Sequence, residues 1–495
     1  MKKTIKYINV ILSALLINVI FISCSSETGL TESSETEKPS ESKDVISNSQ
    51  EAKVFTDVTI NSYPENSAIT NVDYRRGLAA QDIDEPRIAR TMAVGGNIVM
   101  IPIGLQKNSM SPDFPTKTTN SPSQSIIDAL NVIATQSEGK VDLYVQISGT
   151  PKIYDTEDVE KPNNGNFYPL PTSSDRDACV ENIASWMYAI EQQVNMPITW
   201  LGTQEPGHTL GEDSNAPGNK KEYNLDKFIS YWNQIEDELK TLNANAKLGG
   251  IQLNSGNDGL YDYTINKIES ENLQLDVICY QLYGVGGLTD GSIGDAVAAT
   301  NSYSGNVKMV AHRTLWLKEM RRALGIDPQD VDALTEEGFN TSEGMIYFLR
   351  TEKQYQAHAS GVEGYCVGKP SEDLGSMVYD VLGWLQNTPK KLRELTDLPN
   401  GVDGFVLAID KKYMAALYNT SDVDYNITLN LNTDQYGEAP ELNSTLFSGT
   451  SKIENGSGIL YDYASQAIKE IELEKNDVIL IELLKDGTSL SITKF

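Results

Sequence analysis

The sequence predicts an α/β chain, an eight-stranded (β/α)8 TIM barrel followed by a C-terminal β-sandwich. Three observations predict it. Between residues 70 and 370, near-continuous apolar runs alternate with amphipathic helical patterns, the signature of a parallel sheet covered on both faces. The apolar runs number eight, which fits a closed barrel better than an open doubly wound sheet. Beyond residue 395 the texture changes to short strands separated by turn residues, as in a sandwich.

Taken in order, residues 1–23 read as a targeting segment. Lys2, Lys3 and Lys6 precede an apolar stretch from Ile8 to Ile22, and Ser23 stands before Cys24 as in a bacterial lipobox. Cys24 is then the lipidated residue, and the expected location is the outer membrane, facing the cell surface. Residues 24–51 are rich in Ser, Thr and Glu with almost nothing to bury, which describes a disordered tether. Residues 54–60 alternate well enough to add a strand to the sandwich, so residues 52–69 are assigned to it.

The candidate barrel strands are 74–78, 97–104, 141–149, 198–204, 247–253, 275–283, 307–312 and 361–367. Helical patterns occupy 85–93, 123–135, 176–194, 225–242, 259–268, 292–299 and 342–359. The barrel is bounded at 70–394. The sandwich, 395–495, is expected to hold strands around Phe405, Met414 to Asn419, Tyr425 to Leu431 and Val478 to Leu483.

The net charge is −29. Cleavage before Cys24 removes three Lys and leaves 37 basic against 69 acidic residues, near −32. Nucleic acid is excluded as a partner, because phosphate binding needs a basic surface. A densely anionic substrate is disfavoured for the same reason. Cys179, Cys279 and Cys366 sit in apolar runs without metal-ligand spacing, and no Gly-rich phosphate loop follows the first strand. No cofactor and no metal are expected.

In a barrel of this kind the chemistry sits at the carboxyl ends of the strands. The fourth candidate strand runs directly into Thr203-Gln204-Glu205-Pro206-Gly207-His208. An acid closing a buried strand before a turn proline is placed to serve as a general acid, with the adjacent amide on a sugar hydroxyl. The other strand ends supply Gln146, Gln252, Asn254, Tyr280, Gln281, Tyr283, His312, Arg313, Trp316 and Lys369. Amides with Tyr and Trp suit sugar hydroxyls and sugar faces.

Thr-Gln-Glu-Pro at the fourth strand, Asp276-Val277-Ile278-Cys279-Tyr280-Gln281-Leu282-Tyr283 at the sixth and a trailing sandwich resemble the clan A glycoside hydrolases. The Gln-Glu-Pro-x-His-Thr string resembles the agarase and porphyranase family, glycoside hydrolase family 86. The resemblance implies a retaining enzyme acting on a polysaccharide, with Glu205 as acid/base. It also implies a Glu nucleophile at the end of strand seven, and here this chain departs, for that strand ends on His312 and Arg313. The nearest acid beyond it is Glu319, either a second catalytic carboxylate or a member of a surface helix with Arg321 and Arg322. Asp82, Asp84 and Glu85 follow the first strand, and Glu363 falls at the opposite rim. The substrate-binding candidates are Gln204, His208, Asn254, Tyr280, Gln281, Tyr283, His312, Arg313 and Trp316. Two functions fit these residues: a glycoside hydrolase, or a glycan-binding protein on a barrel that has lost its nucleophile.

Overall fold

The computed structural model describes residues 53–63, 71–80, 82–83, 86–106, 113–162, 167–203, 205–211, 217–254, 260–282, 291–305, 307–312, 341–367, 375–386, 391–409, 412–431, 460–462, 467–484 and 490–494. The targeting segment, Cys24 and the tether lie outside these residues. So do Gln204, Tyr283, Arg313, Trp316, Glu319 and Lys369.

The first described strand, β1 (Thr56–Tyr63), belongs to the C-terminal sheet. The barrel follows as β2 (Arg75–Ala79), β3 (Ile98–Gly104), β4 (Asp142–Ser148), β5 (Ile198–Leu201), β6 (Lys247–Gly249), β7 (Leu253–Asn254), β8 (Val277–Gln281), β9 (Lys308–His312) and β10 (Val362–Val367). β6 and β7 are two pieces of the fifth barrel strand, and both pair with β8. All pairings are parallel, and β10 returns to β2, which closes the barrel.

Strand residues alternate between two environments. Ala79, Ile98, Met100, Tyr144, Leu201, Val277, Cys279, Val310 and Cys366 form one buried cluster inside the barrel. Their neighbours, such as Val99, Val145, Trp200, Ile278, Tyr280 and Met309, belong to the larger core shared with the helices. Burial on both sides is why these strands are apolar throughout.

The helices are α1 (Pro86–Ala93), α2 (Gln124–Gln136), α3 (Arg176–Glu191), α4 (Pro206–Thr209), α5 (Lys220–Leu242), α6 (Leu260–Ser270), α7 (Gly291–Ser302), α8 (Ser342–Ala357) and α9 (Gly375–Gln386). α5 shows how sequence makes them. The Asn219 side chain accepts a hydrogen bond from the Lys221 N–H and starts the helix. Leu225, Phe228, Ile229, Trp232, Ile235 and Leu239, at helical spacing, are buried against the barrel. Each contributes about 1.5–3 kcal/mol through burial.

α8 is held by a buried polar cluster. The Glu352 carboxylate accepts hydrogen bonds from Tyr74 Oη (2.9 Å), Arg76 Nη2 (2.7 Å) and Nε (3.1 Å), Tyr365 Oη (2.5 Å) and Gln356 Nε2 (3.0 Å). Arg76 Nη1 also reaches the Leu385 carbonyl on α9. Burial pushes the Glu352 carboxyl up, but the Arg76 charge and the hydrogen bonds outweigh it and hold the group below its ordinary value.

The sandwich comprises β11 (Lys391–Thr396), β12 (Val402–Ala408), β13 (Lys412–Asn419), β14 (Tyr425–Asn430), β15 (Leu460–Asp462), β16 (Ala467–Leu473), β17 (Val478–Leu484) and β18 (Leu490–Lys494), together with β1. β1 runs parallel to β14 and antiparallel to β11. β11 turns the corner between the two sheets, because its last residues pair with β1 and its first with β12. On β12, β13 and β17 one face fills the sandwich interior with Val406, Ala415, Leu417, Ile479 and Ile481. The other face, with Phe405, Leu407, Met414, Ala416, Val478 and Leu480, joins the barrel core. Lys353 on α8 pairs with Asp403 on β12 across the same boundary.

Candidate site at the carboxyl ends of the barrel strands

β5 ends at Leu201, three residues sooner than the sequence suggests. Gly202 is the reason. A Cβ there would lie 2.8 Å from the Phe228 ring of α5, so the backbone packs against that helix and leaves the ladder. The chain then reaches Glu205, half-buried, in a left-handed conformation with φ 48° and ψ 55°. This backbone costs a non-glycine residue on the order of 1 kcal/mol and persists only where its surroundings fix it.

They do so here. The Glu205 N–H donates to the Gln252 carbonyl (2.9 Å) of the fifth strand. Its own carbonyl accepts from the N–H groups of His208 and Thr209 (both 2.9 Å) and from Thr209 Oγ1 (3.1 Å). Pro206 opens α4 directly behind it. Glu205 is thereby fixed at the carboxyl rim, and His208 sits half-buried one turn on.

Deeper in the mouth the interior face turns polar. Gln146 follows Tyr144 on β4, Gln281 follows Cys279 on β8, and His312 follows Val310 on β9. Gln281 pairs in register with His312 on one side and Asn254 on the other. Gln252 points inward too, since its Nε2 lies 3.7 Å from the sulfur of Met100, an interior residue. Gln146, Gln252, Gln281 and His312 expose 2%, 0%, 0% and 1% of their surface. Among the described residues, both polar atoms of the Gln281 amide and Oε1 of Gln252 have no hydrogen-bond partner.

The structure thus gathers Glu205, Gln281 and His312 at one end of the barrel, with His208 beside them on α4. Tyr280 is a correction to the sequence reading. The two-residue alternation of β8 that turns Gln281 inward turns Tyr280 outward. There its hydroxyl shares a 3.0 Å hydrogen bond with Thr300 Oγ1, and its ring meets Tyr261 edge-on at 5.1 Å. Burial pushes its hydroxyl pKa up.

Among the described residues no carboxylate joins Glu205 on the inner face of the strand ends. Asp82 is exposed, and Glu363 begins β10 at the opposite rim. Asp113, buried after β3, accepts from the Ser123 N–H and from Trp186 Nε1, so it serves the fold. No group of three or more His, Cys, Asp or Glu placed to hold a metal occurs among the described residues. The unmet hydrogen bonds of the interior amides leave no trace in the sequence. Only the two-residue spacing of Cys279 and Gln281, and of Val310 and His312, could have indicated that they share a face.

No family model matches the chain, and no curated protein is similar to it in sequence. Solved structures are similar in fold. A family 30 endoxylanase from Clostridium papyrosolvens superposes with a TM-score of 0.50 at 12% identity, over 86% of this chain and 99% of the other. A glucosidase from Croceicoccus marinus gives 0.47 at 11%, over 84% and 85%. A family 86 β-porphyranase from Bacteroides plebeius gives 0.47 at 10%, over 86% and 77%. At these identities the likeness is one of architecture: this chain has the barrel and sandwich-like fold of the family 30 endoxylanase.

Proposed function

We propose that this protein acts on a polysaccharide as a glycoside hydrolase, with Glu205 as the general acid/base. One observation carries the reading: Glu205 stands on the carboxyl rim of a closed eight-stranded barrel, its backbone held in a strained conformation by the adjoining strand. A carboxyl group so placed can protonate a glycosidic oxygen as the bond to the anomeric carbon breaks. A second carboxylate completes such chemistry, about 5–5.5 Å away for retention or about 6.5–9.5 Å for inversion. Glu319 is its candidate from the sequence. Gln281 and His312 are placed to face the sugar. The endoxylanase of like fold is named for a polysaccharide substrate, which supports the class. In the same reading Cys24 carries acyl chains and the tether holds the barrel at the outer cell surface.

A second reading rests on His312. It ends β9, where the clan A resemblance calls for the nucleophile, so the barrel could bind a glycan without cleaving it. Product release from neutral polysaccharides separates the two. Under the hydrolase reading, Glu205→Gln lowers turnover at least ~10²-fold with little loss of binding. Tight binding by the wild type with no product after long incubation overturns it in favour of the binder.

A further inference from the structure

We propose that Gln281 and Gln252 form an uncharged hydrogen-bonding floor that selects a neutral sugar and that the fold maintains at a cost in stability. The inference rests on the polysaccharide reading above and names its substrate class. Three observations carry it. Both side chains are completely buried, and three of their four amide heteroatoms have no partner among the described residues. A buried polar group without a hydrogen bond destabilises the fold, and a native protein keeps it where something else requires it. Both lie inside the barrel at the end that holds Glu205, Gln252 through its contact with Met100 and Gln281 through the alternation of β8.

The third observation is charge. The interior side chains of this half, Gln146, Gln252, Gln281 and His312, include no Lys or Arg among the described residues. A carboxylate or sulfate brought onto the two amides would lose its hydration without gaining a Lys or Arg among the described interior residues. A sugar hydroxyl loses nothing, since an amide offers it both a donor and an acceptor.

Replacing Gln281 by an apolar side chain of similar size tests the idea, because stability and affinity should move in opposite directions. Gln281→Leu should raise the melting temperature by about 1–2 °C, since it removes a buried unpaired amide. The same change should weaken binding of neutral oligosaccharides at least about tenfold. Gln281→Met serves as the second variant should branching at that site disturb packing. The probes are oligosaccharides from cellulose, xylan and agarose, with oligogalacturonate and sulfated carrageenan fragments as charged counterparts. The wild type should prefer the neutral set by at least about tenfold. Lower stability in both variants, or equal or tighter binding of the charged set, overturns the inference. Wild-type binding that both variants leave unchanged overturns it alone. A wild type that binds no member of either set overturns the polysaccharide reading and the floor with it.

Discussion

Two groups of buried polar residues lie on opposite faces of the barrel sheet, one around β2, β10 and α8, the other at the fifth and sixth barrel strands. On the outer side, Glu352, Arg76, Tyr74, Tyr365 and Gln356 are tied to one another by hydrogen bonds, with Glu352 0% and Arg76 1% exposed. On the inner side, Gln252 and Gln281 are equally buried, yet three of their polar atoms are unpaired among the described residues. In the first group the Glu352 and Arg76 charges meet one another and lock α8 and α9 to the barrel, although Oε1 of Gln356 has no partner among the described residues. The second is incomplete and lies at the end of the barrel that carries Glu205. Buried polar atoms without a partner among the described residues occur elsewhere too, Trp232 Nε1 and Thr264 Oγ1 among them, so it is the position of the two amides inside the barrel at the Glu205 end, together with their unmet hydrogen bonds, that marks them as candidate binding residues.

The largest test of this contrast removes the charge at the centre of the first group. Glu352→Gln leaves the Arg76 guanidinium buried without its counter-charge and should cost about 3–5 kcal/mol of stability, read from urea unfolding. Its pH dependence follows from the depressed pKa of Glu352. The wild-type advantage is complete above the unfolded value of about 4.3. It is lost as the pH falls through the lower value of the folded state. The gap between wild-type and Glu352→Gln midpoints should therefore close in acid and stay constant above it.

A smaller effect sharpens the boundary between the two faces. Tyr280→Phe removes the hydrogen bond to Thr300 and should cost about 1 kcal/mol while leaving oligosaccharide affinity unchanged. Reduced affinity in that variant would return Tyr280 to the binding residues. The smallest effect belongs to the surface. Lys475 and Asp422 form an exposed ion pair on the sandwich, and Asp422→Asn should leave the melting temperature where it was, because water already screens the pair.

Much of this architecture was legible in the sequence because burial on both faces leaves a continuous apolar trace. All eight barrel strands lie where those traces fall. α9 was missed although Val378, Val381, Leu382 and Leu385 carry helical spacing and are buried. β11 and β16 were missed for a different reason: Lys391-Leu-Arg-Glu and Ile468-Lys-Glu-Ile bury only some of their residues and show charge at the surface. The Arg76–Glu352 pair was hidden by a sequence separation of 276. Of the site, Glu205 was legible because an acid and a proline close a strand. The division between Tyr280 and Gln281 was not, since the phase of a strand is fixed only by what packs on each side.

The most direct measurement is a crystal structure of Glu205→Gln with a bound neutral oligosaccharide. The account predicts a sugar ring at the carboxyl ends of the strands, with its glycosidic oxygen beside residue 205 and a hydroxyl within hydrogen-bond distance of the Gln281 amide. A sugar bound elsewhere, or a Gln281 amide bonded only to protein or trapped water beneath the ligand, would contradict it.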